Sequence, residues 1–256
     1  MSHKLKKVLV TNDDGINGKG LQVLVESLKK VAEVYVLAPD SNRSAVSSKI
    51  TMGKGLSIQK FGEGLYACSG MPADCVITAF KSPLFGVQFD AVVSGINSGP
   101  NMGTDVVYSG TCAAARQAVL MGVPGIAVSL ESKYLDYEIG DEGFNFKPLA
   151  DFTANNLDEL ISLCDGEVFV SLNATSADSY KEAAFASGCI RDYGDKVSIK
   201  SEGEDLFSGH CTSDGLSVTG EADSDYNIAR SGKIAVSLIY AEPVLKRAGQ
   251  SVKFKF

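Results

Sequence analysis

A doubly wound, mostly parallel α/β sheet with helices on both faces and β-hairpin extensions toward the C-terminus is the fold class this sequence predicts. Three observations predict it. Short continuous apolar runs alternate with helical patterns through the first half of the chain, as strands buried on both faces of a parallel sheet must. The runs end in clusters of oxygen-bearing residues, where such sheets place their ligands. Beyond residue 185 the pattern changes to short alternating segments broken by Gly and charged turns, which read as hairpins.

In order, "KVLVTN" is a strand, and "GLQVLVESLKKVA" is an amphipathic helix with Leu21, Leu24, Val25 and Leu28 on one face. "VYVLAP" is a second strand. "ITMGKGLSIQKFGEGLYACSG" breaks the rhythm as an antiparallel excursion, and "PADCVITAFKSPL" opens a helix with proline in its first turn. "DAVVSGIN" is a third buried strand, "SGTCAAARQAVLMG" a helix rich in small residues, and "GIAVSL" a further strand. The signal weakens after residue 131, where "FKPLADFTANNLDELISLC" reads as one helix and "VFVSLNAT" as a strand. "CIRDYGDKVSIKSEGEDLFSG", "LSVTGEADSDY" and "KIAVSLIYAEPV" read as hairpins. A single domain over residues 1–256 is expected, with its core at about 7–180 and a hairpin and C-terminal arm at about 185–256. A charged hairpin projecting from such a core suits an oligomer arm or a lid.

Bulk properties narrow the function. With 45% hydrophobic and 21% charged residues and a net charge of −7, the chain is an ordinary globular one with no basic face for a nucleic-acid polymer. Small phosphorylated ligands are compatible with this balance. The opening "MSHKLKKVLV" turns polar too quickly for a signal peptide, and no apolar run approaches membrane-spanning length. The six cysteines form no C-x-x-C pair and mostly sit among apolar neighbours, as reduced thiols do. A cytoplasmic protein without membrane contact is expected. The two histidines are His3, in a solvated tail, and His210, in a polar hairpin. That scarcity argues against a phosphohistidine mechanism, a Ser-His-Asp triad and a multi-histidine zinc site.

Polar residues converge on one edge. The first strand runs into "TNDDG", the second into "APDSNRSAVSS" and the third into "SGINSGPNMG", which brings Asn12, Asp13, Asp14, Asp40, Asn42, Ser44, Asn97 and Asn101 together. Adjacent Asp13 and Asp14 have two readings. They form an Asx-type turn that caps the next helix, or their mutual repulsion is relieved by a divalent cation. Donors drawn from Asp, Ser and Asn are hard oxygens, which favour magnesium or manganese. "GINGKG" has the spacing G-x-x-G-x-G rather than the dinucleotide fingerprint, and there is no P-loop. Ser109, Gly110 and Thr111 open a helix whose amides and dipole attract anions; plain N-capping by Ser109 is the alternative.

"VTNDDGINGKGL", "VLAPDSNRSAVS", "GMPADCV", "DAVVSGINSGPNMGTDVVYSGTCAAA" and "GVPGIAVSL" together resemble the SurE (survival protein E) family of metal-dependent 5′-nucleotidases, over about residues 7–131. The C-terminal half resembles it only through "SDY" and a final strand. The resemblance implies a Rossmann-like three-layer core and one divalent cation per subunit, magnesium or manganese. It implies hydrolysis of nucleoside 5′-monophosphates, with 3′-monophosphates as a further substrate class, and a homodimer or homotetramer joined through C-terminal arms. Carried over by motif, the metal ligands are Asp13, Asp14, Ser44 and Asn97, while Asn42, Asn101, Ser109, Gly110 and Thr111 line the phosphate position. Catalysis falls to Asp13 and Asp14, either of which positions or deprotonates the attacking water. The chain departs from the family in the loop after "NDDG", which lacks the usual histidine or proline, and in "VSLIYAEP", where a threonine-proline pair is common. Base preference is not carried over. Two rivals stay open: an aspartyl-phosphate route, which favours D-x-D over this D-D, and a non-catalytic nucleotide sensor.

Overall fold

A computed structural model of the chain describes residues 5–133 and 143–243. His3 and the end of the expected C-terminal arm lie outside the described residues. The elements in chain order are β1 (Lys6–Thr11), α1 (Lys19–Leu28), β2 (Ala32–Pro39), β3 (Ile58–Gly62), β4 (Leu65–Cys68), α2 (Pro72–Lys81), β5 (Ala91–Ser98), a 3-10 turn (Gly103–Val107), α3 (Gly110–Leu120) and β6 (Gly125–Glu131). They continue with α4 (Lys147–Asn155), α5 (Leu157–Ser162), β7 (Val168–Thr175), β8 (Ala183–Phe185), β9 (Ile190–Asp192), β10 (Asp195–Ser201), β11 (Phe207–Ser213), β12 (Ser217–Thr219), α6 (Asp225–Arg230) and β13 (Ile234–Tyr240).

Nine strands form one sheet in the order β3-β4-β2-β1-β5-β6-β7-β13-β8. From β4 across to β7 every pairing is parallel, while β3 and β13 run antiparallel to their neighbours β4 and β7. The chain winds from β1 to β2 in one direction and then returns to place β5 on the other side of β1. The winding therefore reverses between β1 and β5, and a crevice opens there at the carboxyl ends of the strands.

Alternation along β1 explains the layers. Val8 and Val10 face Leu21, Leu24 and Leu28 of α1 and Leu149 and Ala150 of α4. Leu9, between them, faces Cys75, Val76 and Ala79 of α2 and Ala114 and Ala118 of α3. All three β1 residues are fully buried, so the apolar run has no polar face because it has no solvent face. Gly20 lets α1 lie directly on β5: a Cβ there would stand 1.9 Å from the Ile96 carbonyl oxygen.

Three expectations change. The helix expected over residues 146–164 is two, α4 and α5. Asn156 leaves helical geometry at φ −113°, ψ 23° and its side-chain amide donates to the Phe152 carbonyl at 2.8 Å, a local bond that competes with helix continuation. "SDY" opens a short helix, α6, capped by the Ser224 hydroxyl, which accepts from the Asn227 amide. The final apolar segment is not part of a hairpin arm: β13 returns to the main sheet against β7 and carries β8 on its other side. Its continuous apolar character, with Ile234 to Val236 buried, required that placement. The hairpin reading holds for β10 and β11, a ribbon in which every residue is exposed, and β12 pairs with β9.

Gly20→Ala should destabilise the protein by about 2–3 kcal/mol, as overpacking does, because the methyl group meets strand backbone rather than a yielding side chain. Urea unfolding measures this, and a loss below about 0.5 kcal/mol would show that α1 shifts freely over β5.

Candidate active site

β1 delivers its carboxyl end into the crevice through a turn that Asn12 makes by itself. Its side-chain oxygen accepts from the Gly15 amide at 3.1 Å and its side-chain nitrogen donates to the Gly15 carbonyl at 2.9 Å. Gly15 has φ +99°, open to glycine with little strain. The next helix starts after Gly18 with no side-chain cap. The turn is therefore made by the Asn12 side chain rather than by the two aspartates.

Asp13 is buried, and its Oδ1 accepts the Thr111 hydroxyl at 2.5 Å. Burial raises its carboxyl from 3.8 to about 6; the Thr111 hydrogen bond opposes this and the charge of Asp14 adds to it. Asp14 is half-buried, and its Oδ2 accepts the Ser98 amide at 3.1 Å, which ties the turn to the end of β5. Gly110 lies against Asp13: a Cβ there would come within 2.8 Å of the Asp13 Cβ and 3.2 Å of Pro72. Only glycine lets α3 begin this close to the carboxylate.

The loop after β2 is fastened on two sides. The Arg43 amide donates to the Asp13 carbonyl at 2.6 Å, and the Ser44 amide donates to the Asn42 side chain at 2.9 Å. The Ser47 amide and hydroxyl donate to the carbonyls of Tyr108 and Val107 at 2.9 and 2.8 Å. Ala45 and Ser47 take left-handed backbone conformations, φ 56° and 55°, strained for residues with a Cβ and held here by those contacts.

On the other side of the crevice, the Asn97 side chain donates to the Gly99 carbonyl at 2.9 Å. Asn101 is buried, its side chain donating to Ser129 at 2.7 Å and its amide to the Asn173 side chain at 2.8 Å. Asn97 on β5, Ser129 on β6 and Asn173 on β7 stand in register across the sheet. Ser109 caps α3 by accepting the Cys112 amide at 3.0 Å.

These groups border a cleft of about 430 Å³. Asp13, Ser44, Asn97, Asn101 and Ser109 line it, with Asp105, Tyr108, Tyr193 and Asp195. Asp14, Asn42, Gly110 and Thr111 stand behind the lining: Asp14 holds β5, Asn42 shapes the Ser44 loop, Thr111 gives its hydroxyl to Asp13, and Gly110 makes room for it. Among the described residues no Lys, Arg or His lines the cleft, although three aspartates do. A cavity of similar size, about 450 Å³, lies at the opposite end of the sheet among Val119, Leu120, Glu167 and Tyr240. Its lining contains no Asn, Ser or Thr. No group of three or more His, Cys, Asp or Glu side chains placed to hold a metal occurs among the described residues.

Sequence reasoning missed the cleft's far wall. Tyr193, just before β10, places its hydroxyl 3.0 and 3.1 Å from the two Asp105 carboxylate oxygens, and the buried Arg191 pairs with Asp105 at 2.8 Å. Asp225 of "SDY" accepts the amides of Gly103 and Cys189 at 2.6 and 3.1 Å, joining the 3-10 turn to the segment before β9. Contacts across 88 residues leave no local pattern. Ser129 and Asn173 did leave one, as polar residues inside otherwise apolar strands.

Fold and cleft together define a doubly wound α/β protein with an acidic, oxygen-lined site at its topological switch point. The sequence model of the survival protein SurE family matches residues 8–195, and the chain belongs to that family. It is 44% identical over 183 residues to the 5′-nucleotidase SurE of Treponema pallidum (strain Nichols), spanning 70% of this chain and 96% of that one. It is 51% identical over 127 residues to the 5′-nucleotidase SurE of Haemophilus influenzae (strain PittGG), about half of each chain. The crystal structure of the SurE protein from Aquifex aeolicus superposes with a TM-score of 0.79 at 26% identity, over 93% of this chain and 94% of that one.

A buried carboxyl raised to about 6 holds its proton more tightly folded than unfolded. Its stabilising contribution is complete below pH 3.8 and is lost as pH rises through 6. In chelator at pH 7.5, Asp13→Asn should therefore stabilise the metal-free protein, by up to about 3 kcal/mol, with little gain near pH 4. Urea unfolding at both pH values checks this; a destabilised variant at pH 7.5 would show that the carboxylate sits there without strain.

Proposed function

We propose that the protein hydrolyses nucleoside 5′-monophosphates, with 3′-monophosphates as a further substrate class, using one magnesium or manganese ion per chain. The observation that carries the reading is a cleft lined by three aspartates, amides and hydroxyls, with no cationic side chain among the described residues, beside the N-terminus of α3. Asp105 is already paired with Arg191, but Asp13 beside the start of α3 repels a phosphate dianion unless a cation intervenes, and the donor set of Asp13, Asp14, Ser44 and Asn97 fits a hard divalent ion. That ion, when bound, supplies Lewis-acid polarisation of the phosphoryl group.

The remaining work falls to the chain itself. The first-turn amides of α3, Gly110 and Thr111, have no intrahelical acceptor, and with the helix dipole they favour an anion. Asn101 and Ser109 border the same position, and Asn42 acts there through the Ser44 loop. Charge that builds on the phosphoryl oxygens meets donors already fixed in place. The Thr111 hydroxyl holds Asp13 rather than the phosphate. Asp13 or Asp14 orients the water and takes its proton. The family name shared by the relatives, 5′-nucleotidase SurE, supports this substrate class.

The exposed ribbon supports a homodimer or homotetramer. Val197, Ile199 and Phe207 are each more than 60% exposed on it, and apolar strand surface of that kind calls for a covering chain. Free cysteines, four of them buried, suit a reducing cytoplasm, and no helix among the described residues is long and apolar enough to cross a membrane. No nucleic-acid polymer is expected as a partner.

Phosphate release from a nucleotide panel should vanish in excess chelator and return with manganese or magnesium; full activity at nil metal content would overturn the mechanism. Asp14→Asn should lower kcat at least a hundredfold with the fold intact by circular dichroism, and a parent-like rate would leave Asp14 a purely structural residue. Light scattering at micromolar concentration should give twice or four times the mass of one chain, and a monomer would refute the role given to the ribbon.

A further inference from the structure

Two aromatic side chains, Tyr108 and Tyr193, border the cleft. Tyr108 immediately precedes Ser109, its carbonyl is held by the Ser47 amide at 2.9 Å, and yet it remains 65% exposed. The ring packs into none of the apolar clusters, so folding of the chain alone does not explain it. Tyr193 enters from the far wall with its hydroxyl fixed between the two Asp105 oxygens, while Arg191 stands 5.8 Å from the ring centroid. Its root is secured as well, because the Ser213 hydroxyl across the hairpin donates to its carbonyl. Both rings lie on the cleft that Asp13 and Ser109 also line.

We propose that Tyr108 and Tyr193 form the nucleoside-binding part of the cleft, with Tyr108 as the aromatic platform for the base. The inference rests on the phosphomonoesterase reading and adds to it the residues that select a base-bearing substrate. A phosphate held at Ser109 leaves the rest of the molecule beside Tyr108, the preceding residue of the chain. Stacking on an aromatic face accepts any base, because every base has a π-face, and this predicts breadth among nucleotides with discrimination against phosphates that lack a base. Tyr193 is a positioning residue for this wall. Asp105 and Arg191 fix its ring before substrate arrives, which reduces the ordering cost of binding.

The test compares kcat/KM for adenosine 5′-monophosphate and for ribose 5-phosphate, which carries the same phosphate and sugar without the base. The parent protein should prefer the nucleotide by about tenfold or more, as one stacked base provides. Tyr108→Ala should lower that ratio about tenfold, mainly through KM, and Tyr108→Phe, which keeps the ring, should restore it. Adenosine, having no phosphate, should inhibit ribose 5-phosphate hydrolysis by the parent and by Tyr108→Phe, but at least fivefold more weakly in Tyr108→Ala. A ratio unchanged by Tyr108→Ala, or equal losses on both substrates, would overturn the platform while leaving the phosphomonoesterase reading standing. A parent protein that hydrolyses neither compound would overturn that reading and this inference with it.

Discussion

One carboxylate buried beside another, where the sheet reverses its winding, is the constraint around which the rest of the molecule is arranged. Asp13 is 3% exposed, and its charge is disfavoured by loss of water and by Asp14. Thr111 offers it a hydrogen bond, Gly110 leaves it space, and the Arg43 amide fixes the backbone beneath it. Two of these contacts come from the start of α3 and the third from the loop after β2, so β1, that loop and α3 have to meet at this point. Holding a charged carboxylate there costs stability, as polar groups forced together at a binding cleft do.

The sheet supplies the rigidity that the site needs. β1 and β5 lie at its centre, buried on both faces, and their ends hold Asp13, Asp14 and Asn97 with no freedom to splay. The register of Asn97, Ser129 and Asn173 extends the polar edge over three strands. The C-terminal half closes the remaining side. Asp225 clamps the 3-10 turn, while the Asp105, Arg191 and Tyr193 group links that turn to the root of the exposed ribbon. The segment that bears the apolar ribbon is thus the same one that walls the cleft.

Much of this was legible in the sequence for identifiable reasons. Continuous apolar runs such as "KVLVTN" and "DAVVSGIN" name parallel strands because only a doubly covered strand lacks a polar face, and polar strand ends name the crevice. Asp13, Ser44, Asn97 and Asn101 were found that way, and Ser109 as the start of a helix; all five line the cleft. The roles of Gly110 and Thr111 were less legible, because their nearness to Asp13 is a tertiary fact. A Gly110→Pro change, harmless to a first helical turn in isolation, would drive a ring into that carboxylate. Asn156 splitting α4 from α5 depends on a single side-chain bond. The return of β13 to the sheet, and the partnership of Asp105 with Tyr193, rest on contacts between distant segments that no local period records.

The central claim is that Asp13 and Asp14 share one hard divalent cation. Electron paramagnetic resonance of manganese titrated into the metal-free chain tests it without recourse to turnover. The account predicts one bound ion per chain in the parent protein, displaced by magnesium, and no ordered binding in Asp13→Asn or Asp14→Asn variants that remain folded. Unaltered manganese binding in both variants, or none in the parent, would contradict it.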